Sequence, residues 1–263
     1  CASLCRAACA RPLLARTRAP MKPERPVDLI IIGAQKAGTT ALFDYLGDDP
    51  AYVRSDVKEV HFFDLEDPAA PTLDLSSYAA RFPDRPGVRV EATPIYIYWP
   101  GALERIAVAC PGVRLVLLLR DPVERAWSHW RMETARGAES QPFSWCIRRG
   151  RQRLFEAEPF GHHREFSYVE RGFYGEQVER LYALFDPADV LIARAEDLDA
   201  DPGAVLARLA AFAGTPPPPP VRPRRVHVGA PAPIPEADAA FLRQVYAPDQ
   251  ARLKALTGIS WAS

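Results

Sequence analysis

Short apolar runs alternate along this chain with longer segments whose apolar residues recur at helical spacing. The two most apolar runs are LIII at 29–32 and LVLLL at 115–119. Both fall far short of the roughly 18 residues that a membrane-spanning helix needs, and they are typical of strands buried in a parallel sheet. Strands are predicted over 28–32, 88–92, 113–119 and 190–193, and helices over 39–46, 102–109, 122–135, 174–185, 202–213 and 236–256. This alternation predicts an α/β fold with a central parallel sheet flanked by helices.

The ends of the chain differ in character from this alternating middle. The first twenty residues contain four arginines and no acidic residue, and we expect residues 1–27 to form a disordered arm or a segment upstream of a start at Met21. Residues 28–263 are expected to form one domain, in which TPPPPP at 215–220 is a stiff extended spacer before the last helix. Five cysteines without a paired framework, three of them in the pattern Cys1-x3-Cys5-x3-Cys9, favour a reducing, cytoplasmic location and no metal site.

The overall charge is balanced, with 33 basic and 33 acidic residues in a chain of 263. No bulk field therefore favours nucleic acid or an anionic membrane as a partner, and any anion site must be local. Lysine is rare, because only four of the 33 basic residues are lysines and the other 29 are arginines. Two of the four lysines, Lys36 and Lys58, fall in loops that are candidates for chemistry.

The stretch LIIIGAQKAGTT at 29–40 passes from a predicted strand through a glycine turn into a predicted helix. Such a turn directs backbone N–H groups and the positive end of the helix dipole at an anion, which predicts a phosphate cradle at 33–40. The stretch departs from the Walker A pattern G-x-x-x-x-G-K-[ST], because Thr39 occupies the lysine position and the lysine stands three residues earlier, at Lys36. This difference disfavours a kinase or NTPase, and the LLLR end of the later strand also lacks a terminal aspartate.

Four stretches, in order along the chain, resemble one enzyme family. GAQKAGTT at 33–40 resembles the 5′-phosphosulfate loop of the sulfotransferases that use 3′-phosphoadenosine 5′-phosphosulfate (PAPS). KEVHFFD at 58–64 and ATPIYIYWP at 92–100 resemble the K-E-x-x-F-F and [ST]-P-x-Y segments of the heparan sulfate type, and LLLRDPVERAWSHW at 117–130 resembles the 3′-phosphate motif R-D-P-x-x-R-x-x-S. The resemblance covers residues 28–198 well and 199–263 weakly. It implies a PAPS-dependent sulfotransferase with a P-loop-like, three-layer fold.

The resemblance also implies roles for individual residues. The 5′-phosphosulfate would be held by Gln35, Lys36, Ala37, Gly38, Thr39 and Thr40. The 3′-phosphate would be held by Arg120 and Ser128, and RPRRVHVGA at 222–230, which contains Arg225 and Gly229, is the candidate loop that closes over the nucleotide. Glu59 matches the family's general base, His61 is a competing base, and Lys58 would steady the transferring group. No metal is required in this scheme, because a sulfuryl group carries less charge than a phosphoryl group.

Two of these roles have alternatives that the sequence leaves open. Arg120 could instead form an ordinary ion pair with Asp121 or Glu124. If the segment after Lys58 is extended, Glu59 and His61 point to the same side, so their spacing does not choose between them as the base.

The sequence also leads to expectations about the protonation of the candidate bases and about the chemical class of the acceptor. We expect Phe62 and Phe63 to pack the loop and to raise the basicity of the Glu59 carboxylate by desolvation, with His61 mostly neutral at pH 7. The acceptor is expected to be a hydroxyl or amine of a saccharide or a glycosylated natural product. A nucleotide-binding module without catalysis is the rival interpretation, since it would keep the anion loops and have no need for Glu59.

Overall fold

The computed structural model describes residues 26–66, 73–157, 163–223 and 233–261. Five strands form one parallel sheet in the order β2-β3-β1-β4-β5. The strands are β1 Leu29–Gly33, β2 Tyr52–Arg54, β3 Val88–Ala92, β4 Arg114–Leu119 and β5 Val190–Arg194. The predicted α/β fold with a central parallel sheet is confirmed, and each of the four predicted strands lies within one residue of its predicted bounds.

Six longer α-helices, four short ones and two one-turn 3-10 helices are found among the described residues. The longer helices are α1 Thr39–Asp48, α3 Ala102–Ala109, α4 Pro122–Arg136, α7 Tyr174–Leu184, α9 Pro202–Ala213 and α10 Glu236–Thr257. The short ones are α2 Leu75–Ala79, α5 Phe143–Cys146, α6 Gln152–Phe155 and α8 Ala195–Ala200. The longer helices match the predicted bounds within two residues. The sequence pattern misses the short helices, because four to six residues make less than two helical turns and show no helical period, and it misses β2, which has only three residues.

The centre of the sheet explains the two most apolar runs of the sequence. All five residues of β1 are buried, and so are five of the six residues of β4, as expected for parallel strands covered on both faces. The register pairs Ile31 with Ala92 of β3 and Gly33 with Leu117 of β4. The carboxyl ends of β3, β1 and β4 therefore lie side by side, at the edge where open α/β sheets bind ligands.

Helix α4 starts directly after β4, as the Asp121-Pro122 pair suggests. The Asp121 carboxylate accepts the backbone N–H groups of Val123 (2.8 Å) and Glu124 (3.1 Å), and Pro122 occupies the first helical turn. This cap fixes where the helix begins. The side chains of α4 are thereby placed relative to the end of β4, beside the ligand-binding edge of the sheet.

The proline-rich spacer contains no helix or strand between residues 215 and 223. Two tyrosine hydroxyls hold it against the sheet domain. The hydroxyl of Tyr52 lies 2.9 Å from Oγ1 of Thr215, and the hydroxyl of Tyr45 donates to the Arg222 carbonyl at 3.2 Å.

The last helix, α10, packs against α7 and α4. The carboxylate of Asp249 in α10 accepts the backbone N–H groups of Gly175 (2.7 Å) and Glu176 (3.0 Å) at the start of α7. Leu242 and Tyr246 of α10 belong to a small apolar cluster beside α4. The helix after the spacer is therefore packed onto the same body as the sheet.

The predicted N-terminal arm, with Cys1, Cys5 and Cys9, lies outside the described residues except for residues 26 and 27. Cys110 and Cys146 are buried, and neither forms a disulfide bond within the described part of the chain. No helix in the described part of the chain combines the length and the apolarity needed to cross a membrane.

Candidate active site

Two loops meet at the carboxyl edge of the sheet. The glycine loop, residues 33–40, follows the central strand β1. The glutamate loop, residues 58–64, is held against the end of β3, because the backbone N–H of Glu59 donates to the Ala92 carbonyl at 2.9 Å. The two loops are close enough that the negative charge of Glu59 acts on the ammonium group of Lys36. The topology therefore brings together candidates that are 23 residues apart in the sequence.

The shape of the glycine loop depends on its two glycines. A Cβ atom on Gly33 would lie 2.5 Å from Cγ2 of Ile97, and Gly38 has a φ of +85°, so both positions require glycine. Helix α1 begins at Thr39, and no side chain caps its first turn. The N–H groups of that turn are thus left for an anion, as the sequence predicts.

The predicted anion-binding residues of the glycine loop lie at different depths. Ala37 and Thr39 are buried, Gln35, Lys36 and Thr40 are partly buried, and Gly38 is exposed.

No carboxylate of a described residue pairs with the ammonium group of Lys36. Its Nζ lies 3.4 Å from Sδ of Met132 on α4, and a thioether sulfur is only a weak acceptor. Burial lowers the pKa of Lys36, and the charges of Arg136 and Arg120 lower it further, against smaller opposing effects of Glu133 and Glu59. The lysine therefore offers a partly desolvated positive charge to whatever occupies the loop.

The glutamate loop is not extended, so the condition under which Glu59 and His61 would share a side is not met. Glu59 has a φ of 64° and His61 a φ of 53°, in the left-handed region where a non-glycine residue is strained. The turn still brings the two side chains together, with Nε2 of His61 3.7 Å from Oε2 of Glu59. Among the described residues, the non-glycine residues with positive φ are Lys36, Glu59 and His61. Backbone strain thus coincides with residues to which the sequence assigns chemistry.

A chain of ion pairs runs along the glutamate loop. Nζ of Lys58 contacts Oε1 of Glu59, and Nδ1 of His61 lies 2.7 Å from Oδ2 of Asp64. Arg164 donates from Nη1 to Oδ2 of Asp64 and from Nη2 to the Asp64 carbonyl, both at 2.6 Å. The sequence reasoning misses the parts played by Asp64 and Arg164, although Asp64 stands at the end of the KEVHFFD stretch, three residues after His61.

These contacts set the charges of the loop. The hydrogen bond to Asp64 and the nearby Glu59 carboxylate raise the pKa of His61 to about 9, so the imidazole is protonated at neutral pH and donates from Nδ1 to Asp64. Burial by itself would raise the pKa of Glu59, but the nearby cations His61 and Lys58 outweigh burial and lower that pKa to about 2. The expectations of a neutral His61 and of a Glu59 made more basic by desolvation are therefore both wrong, because two cations flank the carboxylate.

The predicted packing of the loop by its two phenylalanines is confirmed. Phe63 is fully buried, and the ring of Phe62 stacks on Tyr78 with the centroids 4.6 Å apart. The hydroxyl oxygen of Tyr96 accepts the backbone N–H of Phe62 at 2.9 Å. These contacts hold the strained backbone of the loop in place.

Arg120 and Ser128 lie on the β4 side of the edge. Arg120 directly follows the last residue of β4, and Ser128 lies partly buried in the second turn of α4. Nη2 of Arg120 is 3.3 Å from Oε2 of Glu124, so the ion pair that the sequence leaves open is formed. Partly exposed pairs of this kind contribute at most about 1 kcal/mol, and a phosphate could compete for the guanidinium. The other two candidates, Arg225 and Gly229, lie outside the described residues.

The described ranges contain no group of His, Cys, Asp and Glu side chains arranged to hold a metal ion.

A family model described as a sulfotransferase domain matches residues 26–226. The chain belongs to the sulfotransferase family. It is similar to mouse heparan sulfate glucosamine 3-O-sulfotransferase 3B1, with 29% identity over 188 residues, 70% of this chain and 45% of that protein. It is also similar to the membrane-associated sulfotransferase kil1 of Dictyostelium discoideum, with 31% identity over 127 residues, 46% of this chain and 26% of that protein. The chain thus spans less than half the length of these curated relatives.

Solved sulfotransferase structures share the fold. The crystal structure of a sulfotransferase from Alicyclobacillus acidocaldarius matches with a TM-score of 0.77 and 26% identity, covering 89% of this chain and 97% of that chain. The P-loop-like fold implied by the sequence resemblance is therefore confirmed.

Proposed function

We propose that this sulfotransferase-family chain transfers the sulfuryl group of PAPS to a hydroxyl, or an amine, of a saccharide or a glycosylated natural product. The proposal is carried by one observation, the meeting of Lys36 and Glu59 on two strained loops at a single sheet edge. One loop offers a cation and backbone N–H groups to an anionic donor. The other offers an ionised carboxylate to the proton of an acceptor.

The surroundings of the glycine loop fit an anionic nucleotide. No carboxylate of a described residue lies within ion-pair distance of Lys36, whose ammonium rests on the sulfur of Met132 instead. Arg120 and Arg136 are near enough to lower its pKa, so an added anion would relieve repulsion among these cations. The uncapped first turn of α1 adds backbone donors.

Glu59 is proposed to accept the proton of the attacking hydroxyl. The carboxylate is ionised at neutral pH, whereas the protonated His61 has no lone pair to offer, which favours Glu59 as the base. A weak base suffices if the bond to the nucleophile forms late, as in the loose transition states of phosphoryl transfer. Glu59, held by Lys58 and His61, would then act largely by orienting the hydroxyl toward sulfur.

Lys36 is proposed to neutralise the charge that develops on the leaving phosphate as the bond between sulfur and its bridging oxygen breaks. A compact ammonium suits a position beside one such oxygen. PAPS supplies the activated sulfuryl group, and the nucleotide released is adenosine 3′,5′-bisphosphate. Arg120 and Ser128 are proposed to hold the 3′-phosphate, which AMP, ADP and ATP lack.

The acceptor class is proposed from two supports. The name of the mouse relative specifies the glucosamine of heparan sulfate as its acceptor, and the glutamate loop of this chain carries the KEVHFFD stretch that resembles the same type.

The two rival interpretations, a kinase and a binding module without catalysis, find less support. A kinase would need its lysine where Thr39 stands, and a binding module without catalysis would have no use for a strained Glu59 between two cations.

Calorimetry with adenosine 3′,5′-bisphosphate, AMP and ADP tests the donor assignment. We expect the bisphosphate to bind much more tightly than the other two, because Arg120 and Ser128 would contact its additional phosphate. Equal affinities would contradict the proposal. A screen of saccharide and natural-product acceptors with isotopically labelled PAPS then identifies the acceptor, and transfer should persist in EDTA. Complete loss of transfer in EDTA, restored by magnesium, would contradict the metal-independent scheme.

A further inference from the structure

Arg171 is a buried cation beside the glycine loop. It lies in the one-turn 3-10 helix Glu170–Gly172, and only 2% of the residue is exposed. Its three guanidinium nitrogens donate to three neutral oxygens: Nε to Oγ of Ser167 at 2.7 Å, Nη1 to Oε1 of Gln35 at 2.7 Å, and Nη2 to the Arg164 carbonyl at 2.6 Å. No carboxylate of a described residue lies within ion-pair distance of it.

A buried guanidinium without a carboxylate partner destabilises the folded state. A buried charge that meets no opposite charge loses hydration without recovering it. Burial accordingly lowers the pKa of Arg171 to about 10, with Arg125 nearby acting in the same direction. The ring of Tyr98, 5.0 Å from the guanidinium carbon, compensates only in part. A costly group retained at the edge of a candidate site suggests that the site uses it.

The bond from Arg171 determines which way the amide of Gln35 faces. A guanidinium can only donate, so the Gln35 atom that meets Nη1 must be the oxygen, Oε1. The amide nitrogen, with its two N–H donors, is then on the other side of the group, and no described residue accepts a hydrogen bond from it. Gln35 directly precedes Lys36 in the glycine loop.

We propose that Arg171 is a positioning residue for the donor nucleotide: it fixes the Gln35 amide so that its N–H groups are left to donate to the anion in the glycine loop. The positive charge of Arg171 acts on the same anion. This inference rests on the proposed function, in which the anion is the phosphosulfate of PAPS. Nucleotide binding would then supply the negative charge that the protein alone does not provide.

A double-mutant cycle with adenosine 3′,5′-bisphosphate as the probe tests the link between the two residues. Gln35→Ala and Arg171→Met should each weaken binding at least about 10-fold, the scale of a hydrogen bond to a charged group. Once Arg171 is replaced, the orientation of Gln35 is no longer held. Adding Gln35→Ala to Arg171→Met should therefore cost no further affinity, whereas fully additive losses would overturn the proposal.

Gln35→Glu tests the unpaired charge without removing the arginine. A carboxylate at this position would meet the guanidinium, so the melting temperature without nucleotide should rise while the affinity for adenosine 3′,5′-bisphosphate falls. The rise should disappear when Arg171→Met is added. A melting temperature that stays the same or falls in Gln35→Glu would contradict the proposal, and this variant carries the test if Arg171→Met does not fold.

Arg180→Met is the matched control. Arg180 on α7 pairs with Glu104 at 2.7 Å and donates to the Trp99 carbonyl at 3.3 Å. Neither partner belongs to the two loops, and the loss of Arg180 should leave nucleotide affinity unchanged. A lower melting temperature with unchanged nucleotide affinity in Arg171→Met would show a purely structural role and overturn the inference. A wild-type protein that fails to bind the bisphosphate would instead refute the proposed function.

Discussion

The glycine loop and the glutamate loop lie against the same sheet edge but balance charge in opposite ways. Along the glutamate loop three cations meet three carboxylates, namely Lys58, His61 and Arg164 with Glu59, Asp64 and Glu66. Beside the glycine loop, Lys36 rests on a thioether sulfur and Arg171 meets three neutral oxygens. Both loops contain strained residues, so the difference between them is electrostatic.

The difference in charge pairing between the two loops indicates a different role for each. A network in which every charge is met holds its side chains in fixed orientations, which suits groups that must aim at an acceptor proton. A cluster of cations without counter-charges attracts an anion. The glutamate loop is complete by itself, and the glycine loop is completed by its ligand. Variants that affect turnover without affinity, or affinity without turnover, test this division.

The largest expected effects are on turnover, and Glu59→Gln should show one of them without a change in affinity. The amide keeps the size of the side chain and removes the charge that accepts the acceptor proton, so turnover should fall about 100-fold or more. Affinity for adenosine 3′,5′-bisphosphate, measured by calorimetry, should be unchanged, because the glycine loop supplies it. His61→Asn is the comparison and should lose much less. The reverse ranking would move the base role to His61.

Lys36→Ala, in the glycine loop, should lower both turnover and nucleotide affinity, unlike the change at Glu59 in the glutamate loop. Turnover should fall by about 10²- to 10³-fold, the range for removing one donor to developing negative charge, and nucleotide affinity should fall with it. Single-turnover rates at saturating PAPS separate the two effects. Lys254→Ala, which removes an exposed lysine on α10, is the control. A Lys36 variant with normal turnover would show that backbone donors suffice.

Arg120→Ala should reduce affinity alone. Loss of a charge-assisted contact to the 3′-phosphate should cost about 1.5–3 kcal/mol, or roughly 10- to 150-fold in the dissociation constant of adenosine 3′,5′-bisphosphate. AMP lacks the 3′-phosphate and serves as the internal control, since its affinity should not change. Equal losses for the two nucleotides would indicate that the guanidinium acts elsewhere, for example through Glu124.

The smallest expected effect is the contribution of His61 to stability. Its pKa is raised in the folded protein from 6.5 to about 9, so its stabilising effect is complete below pH 6.5 and is lost as the pH rises through about 9. The difference in unfolding free energy between wild type and His61→Asn should shrink over this window, by no more than about 1 kcal/mol for so exposed a side chain. Urea titrations at pH 6, 7.5 and 9.5 measure it. A difference independent of pH would contradict the ion-pair network.

Much of the fold was predictable because each long element repeats its pattern over enough residues. β3, α3 and α9 have the bounds that their apolar spacing predicts, whereas β2, with three residues, has no pattern to detect. The candidate residues of the glycine loop could be named because a glycine turn follows a predicted strand, and those of the glutamate loop because KEVHFFD resembles a family segment. The charge states of Glu59 and His61 could not be predicted, because their pKa values depend on how a turn of the backbone brings the two side chains together.

The sequence by itself determined the parallel α/β sheet and the glycine loop with Lys36, because local period and spacing specify these features, and it identified Glu59 as a candidate through the resemblance to the sulfotransferases. Only the tertiary structure decided which charges are paired. Arg164 reaches Asp64 across 100 positions of the chain, and Arg171 reaches Gln35 across 136. Contacts at such separations depend on how the turn before α7 packs against the sheet edge, and the burial of each charged group then determines how much it destabilises the fold. A single sequence contains no local signal for this packing or for this burial.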